Sequence, residues 1–310
     1  MIEKMNLFFE MDEAQSSCQR AIAIIKKCCE SEYDEVIVEF KLNNIYGNKF
    51  FKKFIKMQRA LKKRTAVNIK SIFVCTPEQL SGLNLRFLHS KGVTIKVLLT
   101  QLKNMDCILN IDSKHPVQIE LSNSIAAEDF ISLFNEWLFS ENKAEIINYS
   151  SLLKLLLMKE RSGCEHNSCL GGALSVDVSG MLYWCKHNKP EAKLCHFNDV
   201  KDQDFHDLFD RSSFEEYLDM HFQKREQCKA ECITFDLCQG GCPIRCDTSN
   251  KCHEHEFIEQ MDKLSLSVRS CLKMNDLSRL NKLAKKIILD AAAYAPFSDV
   301  FMDIQMNKNE

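Results

Sequence analysis

Ten of the sixteen cysteines in this chain lie between Cys164 and Cys252, and five of them crowd into CKAECITFDLCQGGCPIRC, residues 228–246. No other feature restricts the fold as strongly. Thiols at that density are disulfide-bonded, or bound to metal, or buried one by one in a core. Disulfide frameworks belong to small secreted scaffolds, whereas this chain carries long helical and strand patterns. The N-terminal MIEKMNLFFEMDEAQSS has too short an apolar stretch for an export signal, and no run of about 18 apolar residues exists to span a membrane. The expectation is a cytoplasmic protein whose clustered thiols bind metal or an iron–sulfur cluster.

The spacings refine that expectation. The region reads Cys164-x4-Cys169-x10-Gly180-x4-Cys185, a gap, Cys228-x3-Cys232-x5-Cys238-x3-Cys242, and then Cys252. A four-iron cube needs four thiolates converging on its corners, and loops with three to five residues between ligands wrap one corner each. Gly240, Gly241 and Pro243 around Cys242 suit backbone that turns tightly against inorganic sulfide. Eight thiolates so arranged serve two [4Fe-4S] clusters. All-cysteine zinc sites also use closely spaced pairs in loops, and zinc is the alternative.

At 310 residues, with 45% hydrophobic and 27% charged residues, the chain has enough apolar mass for a sizeable core. Its first 160 residues alternate between strand and helix patterns. VIVEF (36–40), NIKSIFVCT (68–76), VTIKVLLT (93–100), CILNI (107–111), VQIEL (117–121) and EIINY (145–149) read as strands. Between them, residues 11–29, 49–63, 77–89 and 126–139 have helical spacing. Short Val/Ile-rich strands separated by amphipathic helices predict a parallel sheet with crossover helices. Gly92 is placed to cap the helix before VTIKVLLT. From Cys164 the texture changes. ALSVDVSGMLYWC (173–185) alternates around Ser179-Gly180 and predicts a β-hairpin. A helix over about 213–227, the cysteine-bearing loops, and helices over 257–272 and 276–293 follow.

The cysteine string resembles the SPASM domain, the auxiliary-cluster domain of radical S-adenosylmethionine enzymes that modify peptides and proteins. That family's pattern is a Cys, nine to fifteen residues, Gly-x4-Cys, a gap, Cys-x2-Cys-x5-Cys-x3-Cys, a gap and a final Cys. The match runs from Cys169 to Cys252 and departs at Cys228-x3-Cys232, one residue longer than the usual pair. By position, the resemblance implies a first cluster on Cys164, Cys169, Cys185 and Cys242, and a second on Cys228, Cys232, Cys238 and Cys252. Cys246 is the alternative to Cys252, and Cys195 has no counterpart. The implied architecture is α/β: a degenerate partial βα barrel over 1–160, the SPASM iron–sulfur domain over 161–255, and a helical C-terminal extension over 256–310.

In that family the first barrel strand ends in Cys-x3-Cys-x2-Cys, whose cluster chelates S-adenosylmethionine. No such triplet occurs here. Residues 10–40 nevertheless resemble the first helix and second strand of the barrel. The family's Gly-Gly-Glu-Pro turn, which receives the cofactor's amino group, is replaced by Lys41-Leu42-Asn43-Asn44. With both features lost, no S-adenosylmethionine site and no catalytic residues are expected. The implied role is that of an accessory chain, holding a ribosomally made precursor peptide or relaying electrons beside a complete radical S-adenosylmethionine maturase. An atypical maturase that itself modifies peptide side chains, and a purely structural iron–sulfur or zinc scaffold, are the alternatives.

Residues 41–70 hold ten Lys or Arg and no acid. They read either as the solvated face of an amphipathic helix or as a surface for an acidic peptide. No aromatic-interleaved basic motif points to nucleic acid. Cys28, Cys29 and Cys75 fall on amphipathic patterns and are expected to be core thiols.

Overall fold

The computed structural model describes residues 4–11, 15–31, 33–42, 48–64, 67–101, 117–122, 125, 127–139, 145–158, 173–186, 190–200, 203, 207, 212–231, 235 and 280–294. They divide into two compact units, Met1–Val97 with Asn167–Glu226, and Leu98–His166 with Gln227–Glu310.

KMNLFFEM, whose Met5, Leu7, Phe9 and Met11 alternate with Asn6, Phe8 and Glu10, forms strand β1 (Lys4–Met11). This strand was not among those expected, although its period of two is plain once the segment is read as a strand. The next elements of the first unit are α1 (Gln15–Cys29), β2 (Glu35–Leu42), α2 (Asn48–Arg64) and β3 (Asn68–Cys75). They continue with α3 (Pro77–Leu80), α4 (Leu85–His89) and β4 (Val93–Leu99). β1, β2, β3 and β4 pair in parallel, in order.

Registration puts Phe9, Phe40, Phe73 and Ile95 in one row across four strands. The rings of Phe9, Phe40 and Phe73 stack at 5.5 and 5.4 Å, and Phe54 of α2 meets Phe40 edge-on at 4.6 Å. Buried Cys18, Ala21, Ile24, Ile25 and Cys28 of α1 lie on a helix that packs against β1 and β2. This row and stripe form the core of the unit, and they explain why its strands are apolar on one face.

The expected helix over 77–89 is two short ones. Thr76 caps α3 through a capping box with Gln79, and Asn84 caps α4 by accepting from the Phe87 N–H at 2.9 Å. Ser81-Gly82 between them are weak helix formers, and a second good N-cap three residues before Phe87 restarts the chain. Gly92 follows α4 at φ +71°, its N–H bonded to the His89 carbonyl at 2.9 Å, as the cap assignment required.

The hairpin is present as β7 (Ala173–Val176) and β8 (Met181–Tyr183), with Ser175 opposite Tyr183. β7 also pairs in parallel with β1, and β8 pairs antiparallel with β9 (Lys193–His196). The strand order of this unit is therefore β4-β3-β2-β1-β7-β8-β9. The unit ends with α7 (Phe197–Val200) and most of α8 (Ser212–Glu231).

In the second unit β5 (Val117–Leu121) pairs in parallel with the two-residue β6 (Glu145–Ile146). Helices α5 (Ala127–Phe139), α6 (Ile147–Met158) and α9 (Lys282–Tyr294) accompany them. EIINY was expected to be a strand, but it leaves the sheet after Ile146. Asn148 there accepts from the Leu121 N–H at 2.7 Å and donates to the Leu121 carbonyl at 3.2 Å, taking the place of further ladder bonds. Beyond it Tyr149, Leu152 and Leu153 are buried at helical spacing, so the apolar run is a helix face. The expected strand over 107–111 and helix over 257–272 lie outside the described residues.

Candidate metal centre

The hairpin that carries Cys185 is fixed from several directions. Asp177 sits at its turn and accepts from the Ser179 hydroxyl at 2.6 Å, the Gly180 and Met181 N–H groups at 2.9 Å each, and the Tyr183 hydroxyl at 3.1 Å. Burial pushes the Asp177 carboxyl up, but these donors outweigh it and hold it below the ordinary aspartate value. Gly180 has φ +98°, and a Cβ there would lie 3.1 Å from both Arg20 Cδ and His196 Nε2. The glycine of the Gly-x4-Cys spacing is thus required by both backbone conformation and space. Arg20 of α1 donates to the Val178 carbonyl at the tip. His196 Nδ1 accepts from the Asn198 N–H at 3.1 Å, which leaves Nε2 to donate to the Ser179 carbonyl at 3.0 Å.

Cys185 lies two residues beyond the end of β8 and is buried. Its carbonyl accepts from the Ser175 hydroxyl at 2.5 Å, while the preceding Trp184 donates its N–H to the Ala192 carbonyl at 2.8 Å and packs on Phe214 at 4.7 Å. Cys185 is in no disulfide and sits on backbone held by these bonds, as a cluster ligand requires. Cys195 lies on β9 and Cys228 in the last turn of α8, both half-buried and neither in a disulfide. Cys228 was expected in a loop; the helix predicted to end near 227 runs on to Glu231. Cys164, Cys169, Cys232, Cys238, Cys242, Cys246 and Cys252 lie outside the described residues. Among the described residues no three His, Cys, Asp or Glu side chains converge.

The remaining thiols form a separate class. Burial raises Cys18, Cys28, Cys29 and Cys75, taking Cys29 to about 11 and Cys75 to about 12. All four are protonated core residues at neutral pH, as their positions on apolar faces implied.

The second place of interest is the sheet face opposite the phenylalanine row; in sequence, residues 12–14 join β1 to α1. That connection is Asp12-Glu13-Ala14 and contains no cysteine. On this face Lys96 Nζ meets Glu39 Oε2 at 2.6 Å, and both residues are buried. Lys186, next to Cys185, puts its Nζ 3.8 Å from Glu39 Oε1 and 5.7 Å from the Phe8 ring centroid. Lys41 and Glu10, directly paired across β2 and β1, form a further bridge at 3.0 Å. Sequence reading passed over this network. Its signal was a single acid within VIVEF and a single base within VTIKVLLT, each interrupting a buried strand.

Among the described residues no helix is long and apolar enough to cross a membrane.

No family model matches the chain. Two cysteine-type anaerobic sulfatase-maturating enzymes, from two strains of Clostridium perfringens, are each 24% identical to it over 207 residues, 64% of this chain and 53% of the relative. The match therefore spans about half the length of these curated relatives. Among solved structures, native anSMEcpe with bound AdoMet and Kp18Cys peptide superimposes with a TM-score of 0.59 at 14% identity, covering 84% of this chain and 97% of that one. Native anSMEcpe with bound AdoMet and Cp18Cys peptide gives a TM-score of 0.56 at 13% identity, over 98% and 99% of the two chains. The fold shared is a mixed α/β one with a mainly parallel sheet.

Proposed function

From the premise that this chain is homologous to the anaerobic sulfatase-maturating enzymes of the radical S-adenosylmethionine and SPASM family, we propose that it serves peptide maturation as an accessory chain. It binds a ribosomally made precursor peptide, or relays electrons, beside a complete radical S-adenosylmethionine maturase. In this reading 1–160 is a degenerate partial βα barrel, 161–255 the SPASM iron–sulfur domain and 256–310 a helical extension. Cys164, Cys169, Cys185 and Cys242 hold one auxiliary cluster; Cys228, Cys232, Cys238 and Cys252 hold the other. An all-thiolate donor set, with Cys185 in no disulfide and its backbone held by Ser175, fits such a group. When bound, the clusters supply one-electron transfer.

The observation that carries the accessory role is the ion-pair network of Glu39, Lys96 and Lys186, at the end of the sheet next to Cys185, together with the absence of a Cys-x3-Cys-x2-Cys triplet. The residues there do not fit S-adenosylmethionine. The carboxylate of β2 is already held by two amines, and the three-residue link from β1 to α1 offers no thiolate. Buried carboxylates held this way are not free to receive an incoming ammonium without leaving a lysine uncompensated.

Anaerobically purified, iron-loaded protein mixed with S-adenosylmethionine and a strong reductant tests this reading. The expected product analysis shows no 5′-deoxyadenosine from this chain alone. Its formation at rates comparable with a complete maturase overturns the accessory role. An iron and zinc assay on the same preparation separates clusters from a zinc scaffold.

Cys195 favours a second reading. It is a half-buried cysteine on β9, in no disulfide and surplus to the eight ligands, and an atypical maturase would use such a thiol to exchange at an iron corner. That reading requires a mass change in a co-expressed peptide with no other maturase present.

A further inference from the structure

On the helical side of the first unit, α2 presents Lys52, Lys56, Arg59 and Lys63 at i, i+4, i+7 and i+11. That spacing is one stripe along three turns, about 16 Å at 1.5 Å per residue. Lys91, just after α4, faces the stripe across a groove of about 430 Å³. Its floor is apolar, made largely by Ile55 and Phe87.

The five cations contrast with several lysines elsewhere in the chain. Lys26, Lys41, Lys70, Lys96 and Lys186 each meet a carboxylate. Among the described residues none of the five groove cations does; the one interaction recorded for them is Lys91 Nζ over the Phe87 ring at 5.5 Å. Like charges at i,i+4 and i,i+3 repel along α2, each pair costing a few tenths of a kcal/mol. No acid in residues 41–70 offsets them.

We propose that this groove is a docking site for an acidic peptide segment bearing large apolar side chains. Carboxylates spaced three and four residues apart on one face of a helix meet the stripe, and the apolar face of the same segment covers Ile55 and Phe87. Such helix-in-groove recognition combines a fixed apolar anchor with charge complementarity that sets register and speeds encounter. Nucleic acid fits less well. The aromatic ring of the groove is half-buried with Lys91 over one face, so no open platform is left for a stacked base. The groove uses none of the cysteines, so the inference stands whether or not the cluster assignment does.

Fluorescence anisotropy with the full chain tests it. The probe is a labelled synthetic helix of about 16 residues with Glu at the four stripe positions and Leu on the adjoining face. Its controls are the same peptide with Lys for Glu, the same with Ser for Leu, and a labelled single-stranded oligothymidylate. Saturable binding of the Glu/Leu peptide is expected, weakened by about tenfold or more in Arg59→Glu and in Phe87→Ala, and nearly unchanged in Lys53→Glu, an exposed neighbour that does not line the groove. If Arg59→Glu fails to fold by circular dichroism, Arg59→Gln replaces it, with a smaller loss in the same direction. Absence of saturable binding, equal loss in Lys53→Glu, or tighter binding of the oligothymidylate overturns the proposal.

Discussion

Glu39 and Lys96 lie 57 residues apart in sequence and 2.6 Å apart in space. Lys96 belongs to β4 and Glu39 to β2, so the ammonium reaches across β3 to find its partner. Both side chains are buried on the face opposite the phenylalanine row, and neither charge is tolerable there alone.

An asymmetry between the partners follows. Glu39→Leu leaves Lys96 buried without its carboxylate and is expected to cost about 3–5 kcal/mol. Lys96→Met costs less, because Lys186 remains 3.8 Å from the Glu39 carboxylate. The double replacement Glu39→Leu with Lys96→Met is expected to be near neutral, as apolar substitutes for buried pairs often are. Urea titration of the three variants decides it; equal losses in the two single variants contradict the account.

Gly180→Ala tests the hairpin. A side chain at φ +98°, with Arg20 and His196 3.1 Å away, is expected to destabilise the first unit by about 1–3 kcal/mol. Iron bound per chain should fall with it if Cys185 is a ligand. Full iron content in a destabilised variant separates Cys185 from the cluster.

Asp177 gives the hairpin an acid limit. Its folded carboxyl lies below the ordinary aspartate value, so the stability it adds is complete above that value. The contribution is lost as pH falls through the depressed folded value. Asp177→Asn is expected to flatten the decline in stability below about pH 4. It also loses about 1–2 kcal/mol at neutral pH, because the amide accepts fewer of the four donors. Thermal melts from pH 3 to 7 provide the check, and parallel curves for the two proteins count against the mechanism.

Asn281 holds α9 to α5 in the second unit. Buried, it caps α9 by accepting from the Ala284 N–H at 2.8 Å and donates Nδ2 to the Trp137 carbonyl at 2.6 Å. Asn281→Ala is expected to cost about 2–3 kcal/mol, from the cap and the lost hydrogen bond to the Trp137 carbonyl together. Asn281→Asp keeps the capping oxygen but loses the donor, and should rescue only the part of the loss that belongs to the cap. A stable Asp variant in chemical denaturation assigns the whole effect to the cap.

Thiol chemistry separates the two classes of cysteine. With Cys29 raised to about 11 and Cys75 to about 12, alkylation of these residues at pH 8 is expected to run about 100-fold or more slower than for a free thiol. Denaturant abolishes the difference. Peptide mass spectrometry after timed alkylation reads each site, and rapid labelling of Cys75 in the folded chain is the contrary result.

Much of this was legible in the chain itself. Short Val/Ile-rich runs in VIVEF, NIKSIFVCT and VTIKVLLT, separated by amphipathic helices, marked three parallel strands, and Ser179-Gly180 within ALSVDVSGMLYWC marked the hairpin, because these patterns are local and survive without knowledge of neighbours. EIINY misled for a related reason: a short apolar run looks alike as strand or helix, and only the Asn148 side chain bonding to the end of β5 ends the strand.

The sequence alone determined the cysteine spacings, the missing cofactor triplet and the alternation of helix and strand, since each is written in consecutive residues. Tertiary structure decided that β7 lies beside β1, that Arg20 and His196 close on Gly180, and that Glu39 finds Lys96. Those are pairings between distant segments, fixed by which strands become neighbours in the sheet, and a one-residue change of register would have turned every such side chain to the opposite face.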